Sequence, residues 1–400
     1  CTYYMQFMSY IDSDVLIFNS KKYELENTMD RKPSTEIEII DECDEFLDSI
    51  GNEKRINLNL FAYKLREILD FCKNEDYKIL LQEILDLVNS ILEARWLEEM
   101  IDTNEILKLK DTKIFDLFEM LIRNEQILEY EDLEPYFETA VNFSDLFDST
   151  YVAFDKNSKG SVIARIVNIN LEKKLKSILD KNKVFVMMSG TLHSKKVLQE
   201  MFGVKDFIVI EAETQNIGTP IKVFTKLEKN FRYREFEEGR VTREDYLKAL
   251  NKCMETAESP VLVHVNSFSD LPSEEEKEKY TLSVISREKF EDLQKKYKEG
   301  ELLQWFKEGK MKVLYSTRCN RGVDLPGSMC NSIVFTKFPY PSMDSIFWRI
   351  LKQEKPNEYM DFYFDKANRE FLQRIYRGLR SKYDKVKILS PDSKVLRSLA

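Results

Sequence analysis

Ile37-Glu38-Ile39-Ile40-Asp41-Glu42-Cys43-Asp44 is a short apolar run that ends in two adjacent acids. It reads as a buried strand whose tip carries Asp41 and Glu42. A rigid strand can deliver the first carboxylate to Mg²⁺ on a set of phosphates and turn the second toward an attacking water. Acid pairs at strand ends are also common surface features, so the rest of the chain decides what this one does.

The chain has 400 residues, enough for two or three domains, with 43% hydrophobic and 33% charged residues. No apolar run reaches bilayer length, so no membrane span is expected. Cysteines stand at 1, 43, 72, 253, 319 and 330 without a Cys-x-x-Cys pair, which points to a reducing compartment and to no zinc site. The net charge of −9 excludes nucleic-acid binding by bulk charge, though not a local basic groove. The chain opens on Cys1 rather than Met, which is expected of a sequence whose upstream part is missing.

Working outward, Ser13–Asn19 has strand character. From Leu58 to about Glu129, Leu81, Ile84, Leu85, Val88, Ile91 and Leu92 recur at helical spacing, and glycine is absent between Gly51 and Gly160. Ser149–Ile169 is strand-like again, and Lys183–Met188 is a buried strand running into Ser189-Gly190-Thr191. Alternation follows. Strands are expected at 221–224, 260–265, 281–285, 311–315, 332–335 and 386–389, and helices at 243–258, 289–307 and 364–379. This implies a parallel sheet covered on both faces.

Two later stretches carry chemistry. In Met311–Gly327 a strand exits into a polar loop with Gly322 and Asp324, able to aim N–H groups and one carboxylate at a ribose or phosphate. In Gln373-Arg-Ile-Tyr-Arg-Gly-Leu-Arg380, a helix would place Gln373, Arg377 and Arg380 on one face. Two guanidinium groups there suit a triphosphate.

Together these stretches resemble the XPD/DinG group of superfamily 2 DNA helicases, of archaeal type, along nearly the whole chain. Asp41-Glu42-Cys43-Asp44 is similar to the family's Walker B box, with Asp44 where histidine is usual. Ser189-Gly190-Thr191 is similar to motif III, which couples hydrolysis to DNA movement. Val261–Phe268 is similar to motif IV, whose Ser267 and Phe268 would face DNA or a sheet edge. Thr317–Asp324 is similar to motif V, with Arg321 where many relatives carry Glu. Gln373–Arg380 is similar to motif VI, with Tyr376 where Gly is usual.

The resemblance implies an α/β fold of two RecA-like parallel-sheet domains with an inserted all-helical Arch-type domain. Residues 1–55 would hold the end of an iron–sulfur region and part of the first RecA-like domain, 56–150 the insertion, 151–203 the remainder of that domain, and 204–400 the second. It implies ATP between the sheet domains, Mg²⁺ on Asp41, Glu42 activating water, Gln373, Arg377 and Arg380 reaching the nucleotide, and Asp44, Gly322 and Asp324 beside it. Ser189, Gly190, Thr191, Ser267, Phe268 and Thr317 would serve coupling or single-stranded DNA. Cys1 would be the last of four cysteine ligands to a 4Fe–4S cluster. Movement would be 5′ to 3′, in the cytoplasm or on the nucleoid. No Gly-x-x-x-x-Gly-Lys-Ser/Thr loop occurs in the sequence, and the resemblance places it upstream of the cluster cysteines. A truncated chain, unable to turn over ATP alone, is therefore expected. The alternatives are an RNA helicase of the same superfamily and a non-catalytic DNA-binding or scaffold subunit.

Overall fold

The computed structural model describes residues 2–51, 53–211, 218–317 and 323–399. It divides into two units, Cys1–Asp206 with Ser342–Phe362, and Phe207–Pro341 with Tyr363–Ala400.

The first unit contains strands β1 (Thr35–Ile40), β2 (Lys54–Asn57), β3 (Leu107–Lys108), β4 (Thr150–Lys156), β5 (Val162–Asn168) and β6 (Asn182–Met187). β1 and β6 pair in parallel, with Ile37 opposite Val184 and Ile39 opposite Val186. The ladder continues past both strand ends. Met188 N–H donates to the Ile40 carbonyl, and Cys43 N–H donates to the Met188 carbonyl, each at 2.9 Å. The acid tip and the Ser189 loop are thus neighbours by backbone geometry alone.

Between them the chain builds its insertion. The helical periodicity is realised in Leu58–Phe71, Glu75–Leu92 and Lys113–Arg123, whose inward stripes supply Phe61, Leu65, Leu81, Ile84, Leu85, Val88, Leu117 and Phe118 to one core. That core is not lined by helices alone. β2, β5, β4 and β3 form an antiparallel sheet in that order, and its Ile56, Val152, Phe154, Ala164 and Ile166 face the same helices. The strand-like 150–168 segment therefore packs with the insertion rather than with β1 and β6.

Four further expectations are corrected. β1 and β6, expected as buried strands, leave Ile37, Ile39, Val184 and Val186 exposed, because among the described residues their sheet has only these two strands. Residues 13–19 form no strand; Val15 and Ile17 stand exposed and pair with nothing regular. Residues 281–285 form none either. The helix expected over 289–307 is two helices, Arg287–Lys296 and Glu299–Lys307. They break where the Glu301 carboxylate accepts from the Lys298 N–H at 2.8 Å, which starts a new helix.

Ser342–Phe362 returns to the first unit from far along the sequence. Its Phe347 ring lies against Gly51, where an added Cβ would come within 2.8 Å, and Arg349 donates to the Asn104 carbonyl at 3.0 Å. Phe347 and Trp348 are buried.

The second unit is one parallel sheet of β7 (Thr219–Lys222), β8 (Val261–His264), β9 (Val313–Ser316), β10 (Ser332–Phe335) and β11 (Lys385–Leu389), ordered β7-β11-β10-β8-β9. β8 and β10 are buried along their whole length. Separate apolar clusters, one around Phe335, Phe338 and Phe371 and the other around Tyr246, Leu250 and Phe290, cover them. A parallel sheet buried on both faces demands such near-continuous apolar strands.

Where the insertion meets the β1–β6 part, the Lys174 ammonium on helix Leu171–Leu179 lies 3.0 Å from Asn142 Oδ1, 3.5 Å from the Ile50 carbonyl and 4.0 Å from Glu24. Beside it is a cavity of about 410 Å³ lined also by Ser49, Ser177 and Lys181. Burial pushes the amine down to about 8, against an ordinary value of 10.5, with Glu24 opposing the shift. Between those two pH values the unfolded chain binds the extra proton and the folded one does not, so this group's contribution to stability rises with pH there. Lys174→Met has no such titration. Its stability relative to the parent protein should therefore fall by about 3 kcal/mol between pH 7 and pH 10.5. Urea midpoints at both pH values check this, and a pH-independent difference contradicts it.

Candidate functional site

Asp41 and Glu42 lie exposed at the carboxyl end of β1, the end at which parallel sheets place ligands. Glu42 has φ 49°, in the left-handed region, where a side chain costs roughly 1–2 kcal/mol. That turn starts the Cys43–Ile50 helix directly behind the strand. The Glu42 N–H donates to Asp41 Oδ1 at 2.9 Å, which orients the first carboxylate.

Asp44 points the other way and is fully buried. Ser189 Oγ donates to Asp44 Oδ1 at 2.7 Å, and Thr191 Oγ1 donates to Asp44 Oδ2 at 3.0 Å. Ser189 Oγ also accepts from the Thr191 N–H at 3.1 Å. The structure thus brings Asp44, Ser189 and Thr191 into one network, with Gly190 between the hydroxyl residues. One helical turn further, Asp48 meets His193 Nε2 at 3.2 Å. Sequence reading left this second pair out: nothing in a lone Asp or His announces a partner so distant in the chain.

Mg²⁺ is commonly held by one or two carboxylates together with phosphate oxygens and water. The exposed Asp41 carboxylate at a strand end fits that role. Among the described residues no group of three His, Cys, Asp or Glu could hold a metal ion by itself. Cys1, the cluster ligand implied by resemblance, lies outside the described residues. Cys43, Cys72, Cys253 and Cys330 are buried, and the last three belong to different apolar cores.

In the second unit β9 leads to Thr317, and Gly322, like Cys319 and Arg321, lies outside the described residues. Asp324 is exposed and pairs with Arg380, and it stands 3.7 Å from Arg377. The Pro356–Ile375 helix stops before either arginine, so a shared helical face does not place them. Arg377 is set instead by donating Nε to the Gln373 carbonyl and Nη1 to the Val323 carbonyl, both at 3.2 Å. Arg380 sits in a loop gathered by Asp384, whose carboxylate accepts from the N–H groups of Arg380 at 2.7 Å, Ser381 at 2.8 Å and Gly327 at 3.2 Å. Burial works against that carboxylate, but the three N–H groups hold it below its usual range. Gln373 is buried.

His264 ends β8, buried, with its ring against Phe335. Burial and the charges of Arg374 and Arg377 push it far below the usual histidine value, so it is neutral. Ser267 is exposed and caps a short turn, accepting from Ser269 N–H at 3.3 Å. Phe268 packs on Phe290 with ring centres 5.4 Å apart.

Residues 250–399 match the family model of the helicase C-terminal domain. A solved XPD helicase aligns with 100% of this chain and 74% of its own at 16% identity and a TM-score of 0.56. The structure of S. tokodaii Xpd4 aligns with 89% of this chain and 71% of its own at 20% identity and a TM-score of 0.52. The fold is that of the solved XPD helicases. No curated protein matches the sequence. The XPD-type fold fits two parallel-sheet units and a largely helical insertion between β1 and β6. In this chain the acid-tipped strand belongs to the first unit, whereas Asp324, Arg377 and Arg380 belong to the second.

The Asp44 network makes a thermodynamic prediction. Ser189→Ala and Thr191→Val should each destabilise the protein by about 1–3 kcal/mol, because each leaves an oxygen of the buried Asp44 carboxyl group without its partner. In an Asp44→Asn background both costs should shrink, with a coupling of about 1 kcal/mol or more. Denaturant melts of the double-mutant cycle measure this, and strictly additive effects contradict it.

Proposed function

We propose that the chain is the motor portion of an ATP-dependent DNA helicase moving 5′ to 3′ on single-stranded DNA. The observation that carries this reading is the Asp44 network, which ties the acid-tipped strand to the Ser-Gly-Thr loop. The fold and the helicase C-terminal match support it.

In this reading Asp41 holds Mg²⁺, which supplies electrostatic stabilisation to the phosphates. Glu42 orients the attacking water and accepts its proton at the side-chain carboxylate. Arg377 is a fixed donor, since two main-chain carbonyls already set its guanidinium. Arg380, with its side chain 40% exposed and its partner Asp324 exposed as well, can exchange that carboxylate for a phosphate. Gln373, Asp324 and Gly322 belong to the same nucleotide. Ser189, Gly190 and Thr191 pass its state on, and Ser267, Phe268 and Thr317 lie toward the DNA strand. A 4Fe–4S cluster would take Cys1, and no step depends on it here.

The 400 residues contain no glycine-rich phosphate loop, so this chain by itself is expected to show no steady ATP hydrolysis. In a chain extended to include such a loop, Arg377→Ala should lower turnover by about 10³-fold or more while leaving single-stranded DNA affinity in place. Unchanged turnover removes Arg377 from the role, and steady hydrolysis by the 400-residue chain overturns the expectation for it. Asp44, in place of the usual histidine, favours a second reading as an RNA helicase. Stimulation of turnover by RNA but not by DNA would select it.

A further inference from the structure

The Pro356–Ile375 helix belongs to both units. Its residues to Phe362 cluster with the first, and those from Tyr363 with the second. Its far end carries Gln373 and Arg374 and leads into Arg377. Its near end is seated beside the Asp44 network. Phe362 lies 6.1 Å from the His193 ring, 5.7 Å from Phe202 and 5.2 Å from Trp348, centre to centre. Lys196, just past His193, closes the seat with a 2.6 Å ion pair to Asp361.

His193 is an unusual choice for this position. Its side chain is wholly buried. Nε2 meets Asp48, while Nδ1 is buried with no hydrogen-bond partner. A bare buried ring nitrogen is destabilising, and an apolar ring would fill the same aromatic seat without that cost. What histidine adds is the bond to Asp48. That bond runs beside the Asp44–Thr191 bond, between the same helix and the same loop, one turn along. The two form a pair of rungs. The first touches the Ser-Gly-Thr loop, and the second touches the seat of Phe362.

We propose that His193 is a positioning residue: held by Asp48, it fixes the seat of Phe362 to the Asp44–Thr191 bond, so a change at the acid-tipped strand reaches the first turns of the Pro356–Ile375 helix. The functional meaning rests on the helicase reading above, but the physical coupling does not, and it is measurable without nucleotide.

The experiment is hydrogen exchange of the backbone amides of residues 356–375 in the 400-residue chain. Thr191→Val weakens the first rung without touching His193. It should speed exchange in the first turns of that helix by about tenfold. In a His193→Phe background, where the seat is filled but the second rung is gone, the same substitution should leave exchange unchanged. Should His193→Phe fail to fold, Asp48→Ala removes the acceptor of the same rung with the ring kept and should give the same loss of response. A Thr191→Val effect of equal size in both backgrounds, or no effect in the parent protein, overturns the proposal. If the helix responds but the loop-extended chain neither hydrolyses ATP nor binds DNA, the helicase reading fails and the coupling stands.

Discussion

A carboxyl group buried between two hydroxyl groups ties the acid-tipped strand to the Ser-Gly-Thr loop of the first unit. Asp44 would be costly to bury alone, and Ser189 and Thr191 compensate by occupying both of its oxygens. The donors and the acceptor come from segments separated by the entire insertion. Both hydroxyl groups reach this carboxyl group only when β1 and β6 are aligned in register, so the network makes correct closure a condition for a satisfied core. The same register sets Asp41 and Glu42 at the tip, with Glu42 turned into a left-handed conformation so that the next residues can enter the helix behind it.

The second unit uses acids in a comparable way at its surface. Asp384 draws three N–H groups into one loop, and Asp324 engages the guanidinium groups beside it. The difference lies in exposure. Asp384 is buried and fixes the backbone, while Asp324 is exposed and its pairing with Arg380 is open to exchange with another anion. Screening by salt weakens exposed pairs of this kind far more than buried ones. Arg377 and Arg380 are therefore unlike each other in freedom, although they are close in sequence.

Much of this was legible in the sequence for definite reasons. Ile37–Ile40 and Val184–Met187 have the residue types and length of strands and form them, although their burial was not legible: Ile37, Ile39, Val184 and Val186 are exposed on a two-stranded pair. Leu81 to Ile91 repeats at a period only a helix satisfies. Ser332–Phe335 falls where it was expected. What escaped reading depended on partners rather than on pattern. Alternation in Val162–Ile166 announces a strand but not its sheet, and the partners in Lys54–Asn57 and Leu107–Lys108 are too short to signal themselves. Ser342–Phe362 joins the first unit through Phe347 on Gly51 and Arg349 on Asn104, contacts no local period encodes. The Pro356–Ile375 helix ends where Gly378 packs close to Val386, so Arg377 and Arg380 are placed by tertiary bonds and not by helical register. Asp48 and His193 carry no motif at all.

The most direct measurement of the Asp44 network's role in the proposed motor is the amount of ATP consumed per base pair separated. It calls for protein carrying a phosphate-binding loop, with both Ser189→Ala and Thr191→Val in place. If the network passes the state of the acid tip to the moving parts, hydrolysis should stay within about threefold of the parent while strand separation falls by about tenfold or more, a coupling loss of the size such networks carry. Hydrolysis and separation that fall together, or that both stay unchanged, would contradict it.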